Sequence, residues 1–368
     1  MHKVQTCRSI NSFSTENYNL EAFVARENIE LSIDWFDLLQ KTVYPHDHSI
    51  RYYFIAERER PLSILPVRLT TKGRVRTVES LSNYYTSIFT PLLGKNSEES
   101  SATHLKHLLS ASTRDHRGAH VMRFAPMDPN LPDYQQLIDD LKAMGWIPFR
   151  FYSFGNWFLK VSFDWKEYLQ SRTANLRSTL KRMNKKFAAE GGKFEVVSSS
   201  EGIEQTIAAF QEVYSLSWKK PEPHPDFIPS LIRLLSSRGM LRMGIARLHE
   251  TPIAAQLWIV GQDKASIYKV AYNEEFSKYS PGTILTSHLM KYVIENDQVV
   301  EVDFLIGDDK YKKIWMSDRR ERWGIVAYNP TKIIGVALLS KEVLGRLAKP
   351  VRNKVKQCSL AISRHFTA

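Results

Sequence analysis

The sequence predicts a mixed α/β protein built as two successive units, and three observations predict it. Short apolar runs rich in Val, Ile and Tyr alternate with longer stretches at helical period. The same order of elements is read twice: antiparallel strands, a loop, a helix and a further strand. The length, 368 residues, suits two domains of ordinary size. The expected division is 1–160, 161–330 and a basic tail over 331–368.

In the first unit Trp35 to Thr42 reads as a helix end. Arg51–Glu57 and Leu62–Thr70 form a strand pair about the turn at 58–61. After the Tyr-rich stretch SLSNYYTSIFTPLLG come a helix near Ser100–Arg114, a strand His120–Ala125, a helix Tyr134–Met144 and strands over Trp146–Val161. The second unit opens with a basic helix from about Trp165 to Glu190, stopped by Gly191-Gly192. Strand Phe194–Val197, helix Ile203–Trp218, the Pro-rich loop KKPEPHPDF and helix Ile228–Ser237 follow. Strands Leu241–Leu248, Ile253–Val260 and Ser266–Tyr272 lead to the loop NEEFSKYSPG and a helix Thr283–Asn296. Strand Val299–Leu305, a short helix Tyr311–Met316 and strands around Trp323–Tyr328 close it.

The net charge of +12 is concentrated in two places. Arg172–Lys193 carries +6 and Thr331–Ala368 carries +7, leaving −1 for the rest. On the basic helix Arg177/Lys181 and Arg182/Lys186 each share a face, so they could grip the phosphate of a small ligand, a lipid phosphate or a tRNA backbone, or stand solvated. In the tail Leu344, Leu347, Val351, Val355, Cys358 and Ile362 fall near one helical face, with Pro350 starting a second helix. Such a segment fits an anionic membrane surface, or packs back on the domains with its lysines in water.

Two cysteines, Cys7 and Cys358, build neither a disulfide framework nor a zinc site, which fits a reducing cytoplasm. No secretory leader is read at the start, and the longest apolar run, Ile333–Leu339, is too short to span a bilayer. A cytoplasmic protein, peripheral on the inner membrane if the tail binds it, is expected. The pairs His104/His107 and His116/His120 have helical ligand spacing but no carboxylate or cysteine placed beside them, so no metal is expected. Serine-hydrolase, Walker, dinucleotide and zinc-protease motifs are missing, and no motif points to DNA.

Two clusters carry chemistry. Ser280-Pro281-Gly282-Thr283 opens a helix and could seat a pyrophosphate on backbone N–H groups, or be an ordinary capped start. VDFLIGDDKYKKIW places Asp303 in an apolar strand, costly unless paired, with Gly307 allowing a sharp exit at the strand's carboxyl end. Asp303 is either functional or a structural cap of the turn that follows it.

Together NEEFSKYSPGTILTSHLMKYVIEN and VVEVDFLIGDDKYKKIWM resemble GNAT-superfamily acyltransferases of the cellulose-biosynthesis CelD/BcsL-like type. More distantly they are similar to the tandem-GNAT Fem peptidyl transferases. LSILPV, LSNYYTSIFTPLLG and YLQSRTANLRSTLKRMNKKF share the resemblance, which covers roughly residues 30 to 330. It implies tandem GNAT-like folds, the first degenerate and the second holding an acyl-CoA donor site, with no metal.

Under that resemblance strand Ser266–Tyr272 would polarise a thioester carbonyl, and Ser280, Gly282 and Thr283 would hold the pyrophosphate. Pro281-Gly282 replaces the superfamily's usual Arg- and Gly-containing loop. Lys312, Arg177 and Lys181 are further candidates for donor phosphates. Asp303 would orient or deprotonate the amine acceptor, His224 would be a mobile general base or a solvent-facing loop histidine, and Tyr311 would protonate the leaving thiolate. Tyr268 and Tyr272, alternating along one strand face, would line the acceptor pocket or serve as core aromatics. The implied activity is N-acylation of an envelope precursor: an amino sugar, an exopolysaccharide unit or an amino lipid. The alternatives are Fem-like transfer from aminoacyl-tRNA, the one case with a tRNA partner, and a non-catalytic scaffold.

Overall fold

The computed structural model describes residues 3–348 apart from residue 16 and the segments 26–27 and 94–97. Its first half contains β1 (Val4–Cys7), α1 (Asn11–Thr15), α2 (Ile33–Thr42), β2 (Ile50–Glu57), β3 (Arg60–Lys72), β4 (Val75–Ser80), β5 (Leu92–Leu93), α3 (Glu98–Asp115), β6 (Val121–Met127), α4 (Pro132–Ala143) and β7 (Ile147–Lys160). The second half contains α5 (Trp165–Ser171), α6 (Ala174–Ala189), β8 (Gly192–Val197), α7 (Ile203–Ser215), α8 (Phe227–Ser237), β9 (Leu241–Leu248), β10 (Thr251–Gly261) and β11 (Lys264–Tyr272). It ends with α9 (Pro281–Glu295), β12 (Glu301–Asp303), α10 (Lys312–Trp315) and β13 (Asp318–Tyr328). A last helix covers 333–348.

All the named strands join one mixed sheet in the order β1-β2-β3-β4-β6-β13-β7-β12-β11-β10-β9-β8, with β5 set against β3. Two neighbour pairs are parallel, β4/β6 and β11/β12. Each follows a helical crossover, α3 in the first half and α9 in the second, as a parallel connection requires. The repeated order of elements therefore has a structural counterpart.

Three local expectations change. The basic helix is two helices, because the Thr173 hydroxyl accepts from Leu176 N–H and caps a fresh start at Ala174. The strand expected over 299–305 keeps its ladder over Glu301–Asp303 and then turns at Leu305, whose φ is +52°. The strand around Trp323–Tyr328 does not close a separate sheet. As β13 it lies between β6 and β7, paired with β7 from Asp318/Phe158 to Tyr328/Ile147.

Helices cover both faces of the sheet. One core runs through both halves, joining α2, α3, α4, α7 and α8 to it. There Phe227 stacks on Tyr85 at 3.9 Å and meets Trp35 edge-on at 5.6 Å. A second core lies under α5, α6 and α9.

The last helix packs Leu338 and Leu339 on Val121, Val326 and Tyr328, and Arg346 donates to the Arg150 carbonyl at 2.8 Å. Leu344 and Leu347 are two-thirds exposed. The rest of the expected apolar face, from Pro350 through Val351, Val355, Cys358 and Ile362, lies outside the described residues. Among the described residues no helix is long and apolar enough to cross a membrane.

Helix α9 sits low on the sheet because Gly244 of β9 leaves a notch for Leu289; a Cβ there would come within 2.6 Å of that side chain. Gly244→Ala should therefore cost about 1–3 kcal/mol in urea unfolding, as overpacking does.

Candidate functional site

Strands β11 and β12 pair only from Lys264/Glu301 to Ser266/Asp303 and then part. After Asp303 the chain follows β7 instead: Phe304 N–H donates to the Trp157 carbonyl (2.9 Å) and Gly307 N–H to that of Gly155 (3.2 Å). Beyond Ser266, β11 has its strand partner on the β10 side, so its alternate backbone N–H and C=O groups face the opening. The opening is a cavity of about 310 Å³, walled by Ile267–Val270 on one side and Phe304–Ile306 on the other.

The parting is held by Asp303, which is 1% exposed. Its carboxylate pairs with Lys264 of β11 at 2.6 Å and Arg320 of β13 at 2.5 Å. It also accepts from the Leu305 N–H at 2.7 Å and from the amide of Asn156 on β7. Asn156 in turn donates to the Leu305 carbonyl at 2.9 Å, fixing both polar groups of the left-handed residue. Burial alone would raise the Asp303 pKa; Lys264 and Arg320, with the Asn156 hydrogen bond, override it and hold the carboxyl well below its usual range. A carboxylate so held is a poor proton acceptor at neutral pH. Gly307, at φ +109°, then carries the chain out toward Lys312.

The first half supplies the remaining wall, through Tyr84, Tyr85 and Ser87. Buried Glu30 fixes that segment by accepting from the Ser87 N–H and hydroxyl. Burial is the main reason that Glu30 is raised to about 7; the Ser87 hydrogen bonds oppose it. Glu222, from the Pro-rich loop, accepts from Lys269 (2.6 Å), Tyr85 (2.8 Å) and Tyr214 (2.6 Å). Burial pushes Glu222 up, but Lys269 and the tyrosine hydroxyls bring it below its ordinary value. Lys219, from the same loop, lines the cavity beside this ion pair. Burial, helped by the Lys269 ammonium, pulls it down to about 8. Sequence reasoning singled out none of Glu30, Tyr84, Tyr85, Lys219, Glu222 and Lys269. The doubled Lys and the Glu within KKPEPHPDF were a signal; their partners, such as Tyr85, lie too far off in sequence to be inferred.

Of the expected residues, Tyr268, Tyr311 and Lys312 line this cavity. Tyr268 donates to the Tyr85 carbonyl at 3.0 Å. Tyr311 is nearly half exposed, and burial of its hydroxyl end pushes it up to about 12. Lys312 donates to the carbonyls of Phe304 (3.3 Å) and Ile306 (2.5 Å), and burial lowers its pKa. Tyr272 lies farther along β11, against Trp218 at 4.7 Å and under Gly282. His224 is outside the cavity lining, edge-on to Tyr85 at 6.2 Å.

At the start of α9, Ser280 N–H donates to the Ser277 carbonyl and Thr283 N–H to that of Ser280. Pro281 has no N–H, so among these four residues Gly282 keeps a free backbone donor. Arg177 and Lys181 line a separate groove that shares no residue with the cleft. Three of the four paired histidines are engaged elsewhere: His104 with the Ser63 hydroxyl, His116 with the Thr70 carbonyl, and His120 as acceptor from Arg76 N–H.

The equivalent parting of β4 and β6 in the first half is bridged. The Ser80 and Ser82 hydroxyls both donate to the Ala125 carbonyl, at 3.0 and 2.6 Å, and Phe89 N–H donates to the Pro126 carbonyl.

A family model described as an acetyltransferase (GNAT) domain matches residues 174–313, which contain β11, α9, β12 and the parting between them. Among solved structures, FemX superposes with a TM-score of 0.56 at 12% identity, covering 88% of this chain and 97% of that one. The C-terminal domain of a protein from Agrobacterium fabrum described as a lysylphosphatidylglycerol synthetase gives 0.51 at 14% identity, covering 90% and 96%. A conserved protein of unknown function from Bacteroides thetaiotaomicron gives 0.51 at 9%, covering 89% and 100%. No protein of curated function matches the sequence. The fold is GNAT-like, as the two sequence clusters implied.

Removing the Asp303 charge leaves Lys264 and Arg320, both partly exposed, to share Glu301 alone, so Asp303→Asn should cost about 1–3 kcal/mol in urea unfolding. A carboxyl depressed on folding stabilises above its unfolded value, here 3.8, and loses that contribution as the pH falls below it. Wild type should thus lose stability below about pH 4 more steeply than Asp303→Asn.

Glu30 works in the opposite sense. Raised from 4.5 to about 7, it makes the folded state less stable as the pH climbs through that interval. Glu30→Gln should remove the decline, gaining up to about 3 kcal/mol on wild type between pH 5 and 8 in paired urea titrations.

Proposed function

We propose that the protein is an N-acyltransferase whose amine acceptor attacks an acyl-CoA thioester in the cleft between β11 and β12. The observation that carries the reading is the parting of two parallel strands within the segment matched to an acetyltransferase domain, with unpaired β11 backbone facing a cavity. Backbone N–H groups fixed there polarise the thioester carbonyl at no cost in reorganisation.

The reaction needs a neutral amine and a protonated leaving group. Lys219 has the proton affinity for the first task, since a base working near its own pKa balances availability against strength. As the C–N bond forms its neutral amine takes the acceptor's proton, the C–S bond breaks, and the Tyr311 hydroxyl protonates the thiolate. Tyr311, raised to about 12, carries that proton at neutral pH. Asp303 acts by position, holding the strands apart, rather than as the base. Tyr268 walls the acceptor side, and Lys312 fixes the carbonyls of the opposite lip. His224 and Tyr272 are assigned no step. We assign the working site to the second unit; bridging across β4 and β6 supports reading the first as its degenerate counterpart.

The acceptor we propose is an amine of an envelope precursor, in keeping with the CelD/BcsL-like resemblance. A lipid-modifying description for one structural neighbour points the same way. A second reading, transfer from aminoacyl-tRNA, is favoured by one observation: the start of α9 offers a single free backbone N–H, at Gly282, for a pyrophosphate.

Calorimetry with acetyl-CoA and long-chain acyl-CoA should show binding that Val270→Trp, which fills the cleft, abolishes without lowering the melting temperature. Lys219→Met should reduce turnover about 100-fold or more, and wild-type turnover should rise with pH toward about 8. Binding of charged tRNA with no heat from any acyl-CoA would establish the second reading instead.

A further inference from the structure

The groove that holds Arg177 and Lys181 has no part in the reaction proposed above. It measures about 530 Å³ and runs between α5, α6 and α9 beside β8. Its floor is apolar: Trp165, Leu169, Leu180 and Phe194. His288 covers Phe194 as a stacked ring at 4.7 Å. Burial, with the Lys291 charge, lowers the His288 pKa, so that ring enters the groove as a neutral surface at pH 7.

The rim has the opposite character. Arg177 and Lys181 stand one helical turn apart on α6, both exposed, and Lys291 lines the groove from α9. Among the described residues neither Arg177 nor Lys181 has an acid partner or any other side-chain hydrogen bond. Lys291 has only an exposed contact with Glu295 at 3.7 Å. Arg182 and Lys185 extend the basic surface of the same helix.

Each half of this arrangement excludes a class of ligand. A free inorganic anion has no use for a floor of four apolar side chains. A plain hydrocarbon leaves unpaired cations on the rim unanswered. A nucleic-acid backbone would use the rim and leave the slot empty. A molecule with an alkyl chain and a negatively charged head satisfies both, and the wider basic face of α6 suits the anionic bilayer from which such a molecule comes. The acyl chain of the donor is not this occupant, because groove and cleft share no lining residue.

We propose that this groove is a binding site for an anionic phospholipid, with one acyl chain on the apolar floor and the phosphate between Arg177, Lys181 and Lys291. The site does not depend on which donor the cleft uses. It would dock the enzyme's α5–α6–α9 face on a membrane.

The full-length protein should be titrated calorimetrically with dihexanoylphosphatidylglycerol kept monomeric, and with dihexanoylphosphatidylcholine. Soluble monomers test the groove itself, free of the general attraction of a charged bilayer. The glycerol lipid should bind at least about tenfold more tightly than the choline lipid. Arg177→Ala/Lys181→Ala should erase that preference. Leu169→Gln, in the half-buried floor, should weaken both lipids while leaving the preference. Thermal melts of both variants should match wild type.

Three results would overturn the proposal: no binding of the monomeric glycerol lipid, equal binding of the two lipids, or an unchanged affinity in Leu169→Gln. In the last case the basic surface alone would account for the attraction. Tight tRNA binding lost in the rim variant, with lipid affinity unaltered, would assign the rim to nucleic acid.

Discussion

One buried carboxylate organises this molecule. Asp303 lies where four strands meet, and it makes a charged or hydrogen-bonded contact to each of the other three: Lys264 of β11, Arg320 of β13 and Asn156 of β7. Its remaining acceptor capacity goes to the backbone of Leu305, two residues on, and so defines the place where the β11/β12 ladder stops. Glu301 completes the group, with Arg320 gripping it in a two-pronged pair at 2.7 and 3.0 Å. A buried ion cluster of this kind contributes little net stability over an apolar one, but it is intolerant of partial loss. What it provides is geometry: two parallel strands that must separate at a fixed residue.

The halves depend on each other through that cluster and through the walls of the cleft. β13 comes from the end of the chain yet lies between two strands of the first half, carrying Arg320 to Asp303. In the other direction Tyr84, Tyr85 and Ser87 reach from the first half to close a cavity against the second; Glu30 holds Ser87, and Glu222 and Tyr268 hold Tyr85. The first half thus serves as a wall, with its own parting tied shut by the Ser80 and Ser82 hydroxyls. The cleft brings the Lys269–Glu222 pair, four tyrosines and two lysines of lowered proton affinity, Lys219 and Lys312, beside open β-strand backbone. These groups can polarise a carbonyl and move a proton.

Most of the elements were legible in the sequence because each announces itself locally. The hairpin at β2–β3, the crossover helix α9 and the apolar strand ending in Asp303 need only periodicity, turn residues and an acid among hydrophobes. The fold family was legible from the clusters around Ser280 and Asp303. The split of the basic helix at Thr173 turns on one capping hydroxyl, which composition does not reveal.

The insertion of β13 was not legible, since pairing partners depend on the whole sheet. The cleft was partly readable: Tyr268, Tyr311 and Lys312 belong to segments already marked by motif. Lys219 and Glu222 lie in the Pro-rich loop, but their proton affinities come from burial first, then from Lys269 and, for Glu222, the tyrosine hydroxyls, and burial is set only by folding. Asp303 shows the converse. An acid in an apolar strand invites a catalytic reading, and its two cations supply a structural one. Arg177 and Lys181 were marked for phosphate by charge alone; the structure sets them over an apolar floor, away from the cleft.

The Asp303 cluster creates the parting of β11 and β12. Amide hydrogen exchange in wild type and Asn156→Ala tests it directly, because Asn156 bonds both Asp303 and Leu305 without carrying charge. If the cluster sets the parting, exchange in the variant is faster only over 264–272 and 301–307, with β2–β4 as protected as in wild type. Unchanged protection over 301–307, or an equal loss across the whole sheet, would contradict it.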